Sequence, residues 1–440
     1  MIFSNIHVLL KDYTVCENLF VATKGNRIVY IGSQKPDGEY GDIYDGRGKL
    51  LMPAFYNAHS HNAMSLMRGY GENLSLNDWL HKKIFPFEAE MTPQDIYYGW
   101  MLCAAEMLRF GIAGTNDMYF SGEAMARAVL DSGVKANLSL AVTCYGDHAY
   151  EDLPVAKEAD ALFAAFDGAA DGRLMIDLSI HGEYTSTENA VRGVAEHAAR
   201  LGCGVHVHLS ETEREHEECK QRRGGMTPAA YFKAAGLFDV PATAAHAVWA
   251  EQSDYEIFKQ QGVTVATCPK SNLKLASGTA PAAEMLKAGV RVALATDSVA
   301  SNNNLNMLEE MKILALTQKG RLRDPVVLKP AEAIQMATKN GAAAMRRQSC
   351  GYIDEGAFAD LTVLDLSPLY MQPLHSLTDQ ILWSACGTDV VLTMVDGTVL
   401  YRDGEYPHLD IEKILFECRR AAGSIASAAA SKRDSGSVKE

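Results

Sequence analysis

The chain has 440 residues, 48% of them apolar, enough for one large domain and a smaller companion. Its formal charge of −14 argues against a nucleic-acid backbone or an anionic membrane as the main partner, and suits a protein kept soluble by acidic surface. The nine cysteines include no Cys-x-x-Cys pair, so neither a disulfide framework nor a thiolate zinc site is suggested.

The opening residues, Met1 to Leu10, alternate Phe3, Ile6, Val8 and Leu10 with polar positions and lack the basic start and long apolar run of a signal peptide. No uncharged stretch reaches transmembrane length, so a reducing, cytoplasmic setting is expected, with Cys103, Cys144, Cys203 and Cys268 as small core residues. Residues 1–50 read as short strands and turns, including Asn18 to Thr23, a turn at Lys24-Gly25-Asn26, and Arg27 to Gly32. The text then changes to alternating strands and helices. Strands are expected at 51–56, 112–117, 134–142, 174–181, 203–209, 241–246, 262–267 and 290–296. Helices at 94–110, 121–132, 188–201 and 281–288 fall between them. Eight strands close a (β/α)₈ TIM barrel, placing residues 51–355 in an α/β barrel domain. From about Gly356 short strands return: Asp360 to Asp365, Val390 to Val395 and Thr398 to Tyr401, with the hairpin signal Asp396-Gly397 between the last two. Residues 1–50 and 356–440 are therefore expected to form one composite β-sandwich domain, carrying a C-terminal helix and a loose polar end at 431–440.

Histidines and carboxylates fall where the barrel strands end, the rim that carries chemistry in this architecture. His59 and His61 are two apart, so on extended backbone both side chains point the same way. His206 and His208 repeat the spacing. His208, nearer the strand's end, is taken as a ligand and His206 as an inward-facing structural residue. Asp297 ends the eighth strand. His59, His61, His208 and Asp297 together offer four ligands to one divalent ion, with a water completing the shell. Zinc is the default by ligand type, while Fe²⁺, Mn²⁺ and Ni²⁺ suit the same donors. Glu211, three residues after His208, borders such a site without being needed as a ligand, which suits a general acid that protonates a substrate nitrogen. His246 ends the sixth strand, placed to orient the nucleophile or stabilise developing charge. His181, at the end of the fourth strand, stands where a lysine would have implied a carbamylated two-metal bridge. A histidine argues for one metal and for a substrate contact. Taken singly, each of these residues has a plain structural use: a His-x-His by chance, Asp297 as a cap, Glu211, Glu213 and Glu215 as carboxylates at a helix N-terminus.

In this order the motifs resemble the amidohydrolase superfamily, and within it the branch of methylthioadenosine and S-adenosylhomocysteine deaminases, which includes triazine chlorohydrolases. The most specific stretches run from His59-Ser60-His61-Asn62-Ala63-Met64 through Arg68-Gly69 into Trp79-Leu80 and Pro86-Phe87-Glu88, and from Thr296-Asp297-Ser298 to Asn306-Met307. The resemblance implies that Glu88 binds sugar hydroxyls, that Trp79 forms part of an apolar pocket wall, and that His181 binds substrate. It also implies a homo-oligomer, dimer or tetramer. Two departures stand out. Glu183 occupies a position where many relatives carry proline. No arginine occurs between Arg127 and Arg173, and Leu140 stands near where an arginine gripping a substrate carboxylate is expected. An unpaired carboxylate entering a partly dry pocket is costly, so a substrate with a neutral 5′ end is favoured over S-adenosylhomocysteine.

The expected reaction is hydrolytic deamination at C6 of an adenosine-type nucleoside: 5′-methylthioadenosine, 5′-deoxyadenosine or adenosine. Glu211 would protonate the ring, and His246 and Asp297 would orient and deprotonate the nucleophile. A related hydrolase acting on a free purine base, pterin, cytosine or chlorinated triazine is the first rival, and a non-catalytic scaffold the second.

Overall fold

A computed structural model of the chain describes residues 1–146 and 148–434, the last two by backbone alone. Eight parallel strand positions follow one another around a ring: β1 (Phe55–Ser60), β2 (Ile112–Tyr119), β3 (Lys135–Leu140), β4 (Leu174–Ile176 continued by Leu178–Ile180), β5 (Val205–Leu209), β6 (Ala242–His246), β7 (Thr264–Thr267) and β8 (Arg291–Leu294). Helices fall between most of them, so the architecture is an α/β barrel. The strands are nearly continuous buried runs, as parallel strands covered on both faces require.

Backbone pairing is sparse at two seams. Strand β4 breaks at Asp177, whose carboxylate accepts from Asn137 Nδ2 at 2.6 Å and from the Gly204 N–H at 2.8 Å. The ring closes between β8 and β1 through the Asp297 N–H donating to the His59 carbonyl at 3.1 Å. There the Asn57 amide substitutes for a ladder: its Oδ1 accepts the Thr296 N–H at 2.9 Å and its Nδ2 donates to Thr296 Oγ1 at 2.7 Å.

The expected first barrel strand, 51–56, needs correction. Lys49–Pro53 is a strand of a different sheet, and the barrel strand begins at Phe55. The apolar run conceals the crossing because both strands are buried on both sides.

That second sheet joins the two ends of the chain. In order its strands are Thr398–Arg402, Val390–Val395, Leu361–Asp365, Lys49–Pro53, Ile2–Leu9, Val15–Lys24 and Arg27–Gly32, with Ile43–Asp45 also paired to Ile2–Leu9. Asp396 and Gly397 both take positive φ, at 47° and 77°, as a tight two-residue hairpin turn demands. Phe3, Ile6, Val21, Leu361 and Leu392 belong to an apolar cluster separate from the barrel's. The helix Ile411–Asp434 packs on Pro93–Arg109 and on the short segment Phe85–Glu88. Residues 431–434 of the expected loose end are helical, and residues 435–440 lie outside the described residues. Among the described residues no helix is long and apolar enough to cross a membrane.

The sheet is tied to the amino-terminal face of the barrel by a buried ion pair. Lys135, opening β3, places Nζ 2.6 Å from Asp360 Oδ2 and 2.7 Å from Asp396 Oδ1, and Tyr56 Oη also donates to Asp360. Burial alone would raise the Asp360 carboxyl, but the Lys135 ammonium holds it below the usual carboxylate range. Replacing Lys135 with Met leaves two carboxylates beside each other without their cation. We expect Lys135→Met to lower the unfolding free energy by about 3–5 kcal/mol, read as a reduced urea midpoint.

Candidate active site

At the carboxyl-terminal rim the ends of β1, β4, β5, β6 and β8 converge on a cavity of about 290 Å³. The histidines His61, His181, His208 and His246 line it, together with Trp79, Glu88, Glu211 and Asp297, while His59 lies buried behind. The residues singled out from the sequence thus come together in one place.

Three imidazoles share one design. His61 donates from Nδ1 to the Met118 carbonyl at 2.5 Å, and His208 from Nδ1 to the His181 carbonyl at 2.6 Å. His59 Nδ1 lies 2.8 Å from His206 Nε2. With Nδ1 donating to a carbonyl, His61 and His208 turn Nε2 inward as lone-pair donors, and His59 turns Nε2 towards Asp297. The donor atoms of His59, His61 and His208 lie within 4.8 Å of one another. His61 and His208 bring Nε2 to 3.2 Å of Nε2, and His59 Nε2 is buried without a hydrogen-bond partner among the described residues. Asp297 Oδ1 stands 3.5 Å from both the His59 and His61 Nε2 atoms. Opposed lone pairs and an orphaned buried nitrogen beside a carboxylate fit a shared cation. Burial pushes His59 down to about 3 and His208 well below its usual value, so both rings are neutral, the form that ligates. His206 is fully buried behind His59.

Asp297 is held on every side. Its Oδ2 accepts Ser271 Oγ at 2.6 Å and Ser301 Oγ at 2.9 Å, and its Oδ1 accepts the Ser298 N–H at 2.7 Å. Burial would raise its carboxyl, but His59 and the neighbouring imidazoles hold it below the usual range. His246 donates from Nδ1 to Asn272 Oδ1 at 2.9 Å and turns Nε2 towards Glu211 Oε2, 3.8 Å away. Burial opposes the charge on His246, yet the Glu211 and Asp297 carboxylates outweigh it and raise the ring. Burial raises the Glu211 carboxyl from its ordinary value, against the pull of His246.

The backbone here is strained. Ser210, His246, Ala247 and Asp297 all have positive φ, at 48°, 73°, 49° and 59°, without being glycine. Such conformations cost about 1–3 kcal/mol each and persist where surroundings impose them, as at functional sites.

The opposite wall comes from the loop after β1. Ser75 caps a helical segment running through Leu76–Trp79, Leu80–Ile84 and Phe85–Glu88, with a widened turn in the middle. It supplies Leu76, Trp79, Leu80, Ile84 and Phe85 as apolar lining and ends on Glu88. Tyr119 Oη donates to Glu88 Oε1 at 2.7 Å. Burial still lifts the Glu88 carboxyl to about 7. His181 Nδ1 lies 3.1 Å from Thr185 Oγ1, whose proton goes to the Gly182 carbonyl, so Nε2 is left as an acceptor. An outer chamber of about 590 Å³ adjoins, sharing Tyr145, His181, Tyr184 and Leu275 with the inner one. Its rim carries Glu213, Glu215 and Glu218, and its Arg214 is paired with Glu218 at 2.7 Å.

Sequence reasoning missed Tyr119, Tyr145 and Tyr184, and gave Glu215 only a helix-terminal role. Tyr119 was within reach, since it ends β2 on the functional rim. Glu183 also gains an explanation: its buried carboxylate meets Arg222 at 2.5 Å and Arg223 at 2.8 Å, tying the loop after β4 to the helix after β5.

Residues 50–400 match the Amidohydrolase family. The chain belongs to that family. Among amidohydrolase relatives, it is 38% identical over 422 residues to the 5-methylthioadenosine/S-adenosylhomocysteine deaminase of Dictyoglomus thermophilum, covering 96% of this chain and 98% of the relative. It is 36% identical over 429 residues to the 5′-deoxyadenosine deaminase of Methanosarcina mazei, covering 97% and 98%. Among solved structures, an adenosine deaminase from Xanthomonas campestris with bound zinc superposes with a TM-score of 0.90 at 28% identity, covering 97% and 98%. An atrazine chlorohydrolase from Arthrobacter aurescens complexed with zinc reaches 0.88 at 23% identity over 96% and 99%, a likeness of fold alone.

Within this amidohydrolase pocket, the Tyr119 hydrogen bond lowers a carboxyl that burial raises. Tyr119→Phe should move the Glu88 titration above its present value of about 7, as followed by NMR of ¹³C-labelled glutamate.

Proposed function

We propose that the chain is a metal-dependent hydrolytic deaminase of adenosine-type nucleosides with a neutral 5′ end. 5′-Methylthioadenosine, 5′-deoxyadenosine and adenosine are favoured over S-adenosylhomocysteine. The observation that carries this reading is the convergence of three imidazole Nε2 atoms and the Asp297 carboxylate opposite a raised, buried Glu211. The relatives named as deaminases of such nucleosides, aligned over nearly the whole chain, support the substrate class. The acidic outer chamber, with its arginine already paired, supports the preference for a neutral 5′ end.

In this reading His59, His61, His208 and Asp297 hold one divalent ion, with zinc the default. The bound ion supplies Lewis acidity that makes water nucleophilic near neutral pH. Glu211 delivers its proton to the purine ring nitrogen, which localises the ring's electrons and makes C6 electrophilic. Asp297 accepts the proton of the attacking water and passes it towards the leaving amine. His246, fixed in orientation by Asn272, directs Nε2 to the reacting centre and steadies charge there. Glu88 accepts from the ribose hydroxyls, Trp79 packs on the base or sugar, and His181 offers Nε2 as an acceptor. We also infer that 1–50 and 356–440 form a composite β-sandwich unit beside the barrel of 51–355. The shared sheet and its separate apolar cluster support that division.

Three measurements test the reading. Glu211→Gln should lower kcat by about 10²–10⁴-fold with metal content unchanged; near-full activity would refute the role. Alanine at His61 or His208 should bring metal content well below one ion per chain, measured by elemental analysis. Ammonia release across adenosine, 5′-methylthioadenosine, 5′-deoxyadenosine, S-adenosylhomocysteine, guanine, cytosine and a chlorinated triazine separates this reading from a hydrolase acting on another ring.

A further inference from the structure

We propose that Glu215 and His216 are positioning residues that fix the backbone of Ser210 and Glu211 and thereby aim the Glu211 carboxyl. The inference rests on the reading of Glu211 as proton donor and concerns how this chain holds it.

The Glu211 side chain makes no hydrogen bond among the described residues, and its ion-pair distance to His246 is long, at 3.8 Å. Its aim is therefore set by its own main chain. That main chain is unfavourable by itself, because Ser210 has φ of 48° with a Cβ to accommodate. Glu215 imposes it. The carboxylate takes the Ser210 N–H on Oε1 and the Glu211 N–H on Oε2, each at 2.8 Å.

This is not ordinary capping. Glu215 is the third residue of the helix Glu213–Arg222, where an acidic side chain usually reaches back to the cap residue's N–H. The cap here is Thr212, and the Glu215 carboxylate bypasses it for the two residues before. His216 adds a second tether. Its Nδ1 lies 3.0 Å from Ser210 Oγ and its Nε2 lies 3.1 Å from Glu251 Oε1. Glu251 is anchored in turn by Lys220 at 2.6 Å and opens the helix Gln252–Gln261. The Ser210 carbonyl accepts the Trp249 N–H at 3.0 Å. The loop carrying Glu211 is thus fastened both to its own helix and to the segment following His246.

The test is a double-mutant cycle on purified, metal-loaded enzyme with 5′-methylthioadenosine as probe, reading kcat, KM and metal content. Glu215→Gln retains size but turns one N–H donor of the loop against an amide NH₂. We expect kcat to fall by roughly tenfold to a hundredfold, the scale of misplacing a catalytic group by about 1 Å, with KM and metal content held. In the Glu211→Gln background the same substitution should cause no further loss. Equal loss in both backgrounds, or no loss in the parent, overturns the proposal. If Glu215→Gln does not fold, Ser210→Gly decides, since glycine accepts the left-handed backbone but lacks the hydroxyl. A smaller kcat loss confined to the Glu211 parent is expected, and parental kcat in that variant overturns the proposal. Full activity of Glu211→Gln by itself would instead refute the proton-donor reading.

Discussion

Three imidazoles crowded together beside a carboxylate, two of them with their Nε2 lone pairs turned on each other, form an arrangement that electrostatics disfavours until a cation enters. Everything around the rim serves to keep it in place. Two backbone carbonyls occupy the outer nitrogens of His61 and His208, so neither ring can escape by switching tautomer, and His206 meets the outer nitrogen of His59. Two serine hydroxyls and a backbone N–H immobilise Asp297, and the barrel supplies the frame on which these groups meet. The strain at four non-glycine residues at the strand ends belongs to the same account: packing elsewhere sustains it because the frame is large.

The carboxylic groups around the pocket are all deeply buried, yet they are shifted in opposite directions. Burial raises all three, but Asp297 sits among imidazoles that outweigh it and hold it ionised, whereas Glu211 and Glu88 stay raised. A lowered and two raised carboxyl groups are thereby kept within one cavity. His246, raised by the carboxylates that flank it, stands between the two.

Much of this was legible in the sequence because strand ends and chemistry coincide in a barrel. His59, His208, His246 and Asp297 each follow an apolar run, and that position, more than residue type, marked them. The hairpin at Asp396-Gly397 was equally plain from its turn residues. Where buried strands abut without a polar break, the text is ambiguous. The run Leu51 to Phe55 reads as one strand, yet the chain leaves one sheet and enters another at Ala54. Asp177 lies inside what reads as a single fourth strand, and only the partners Asn137 and Gly204, distant in sequence, reveal why it interrupts the ladder. Glu215 looked like any acidic residue opening a helix, and its longer reach depends on a loop conformation that no local pattern encodes. Arg222 and Arg223 are likewise remote from Glu183 along the chain, so the reason for an acid at that position could not be read from it.

The closure beside Asn57 has a consequence for durability. The last and first staves of the cylinder are stitched there largely by one amide side chain, at the place where His59 and Asp297 project. An ion gripped from both sides of that join would act as a rivet across its thinnest hoop. Heat resistance and turnover would then draw on the same few side chains, leaving evolution little room to adjust one without disturbing the other.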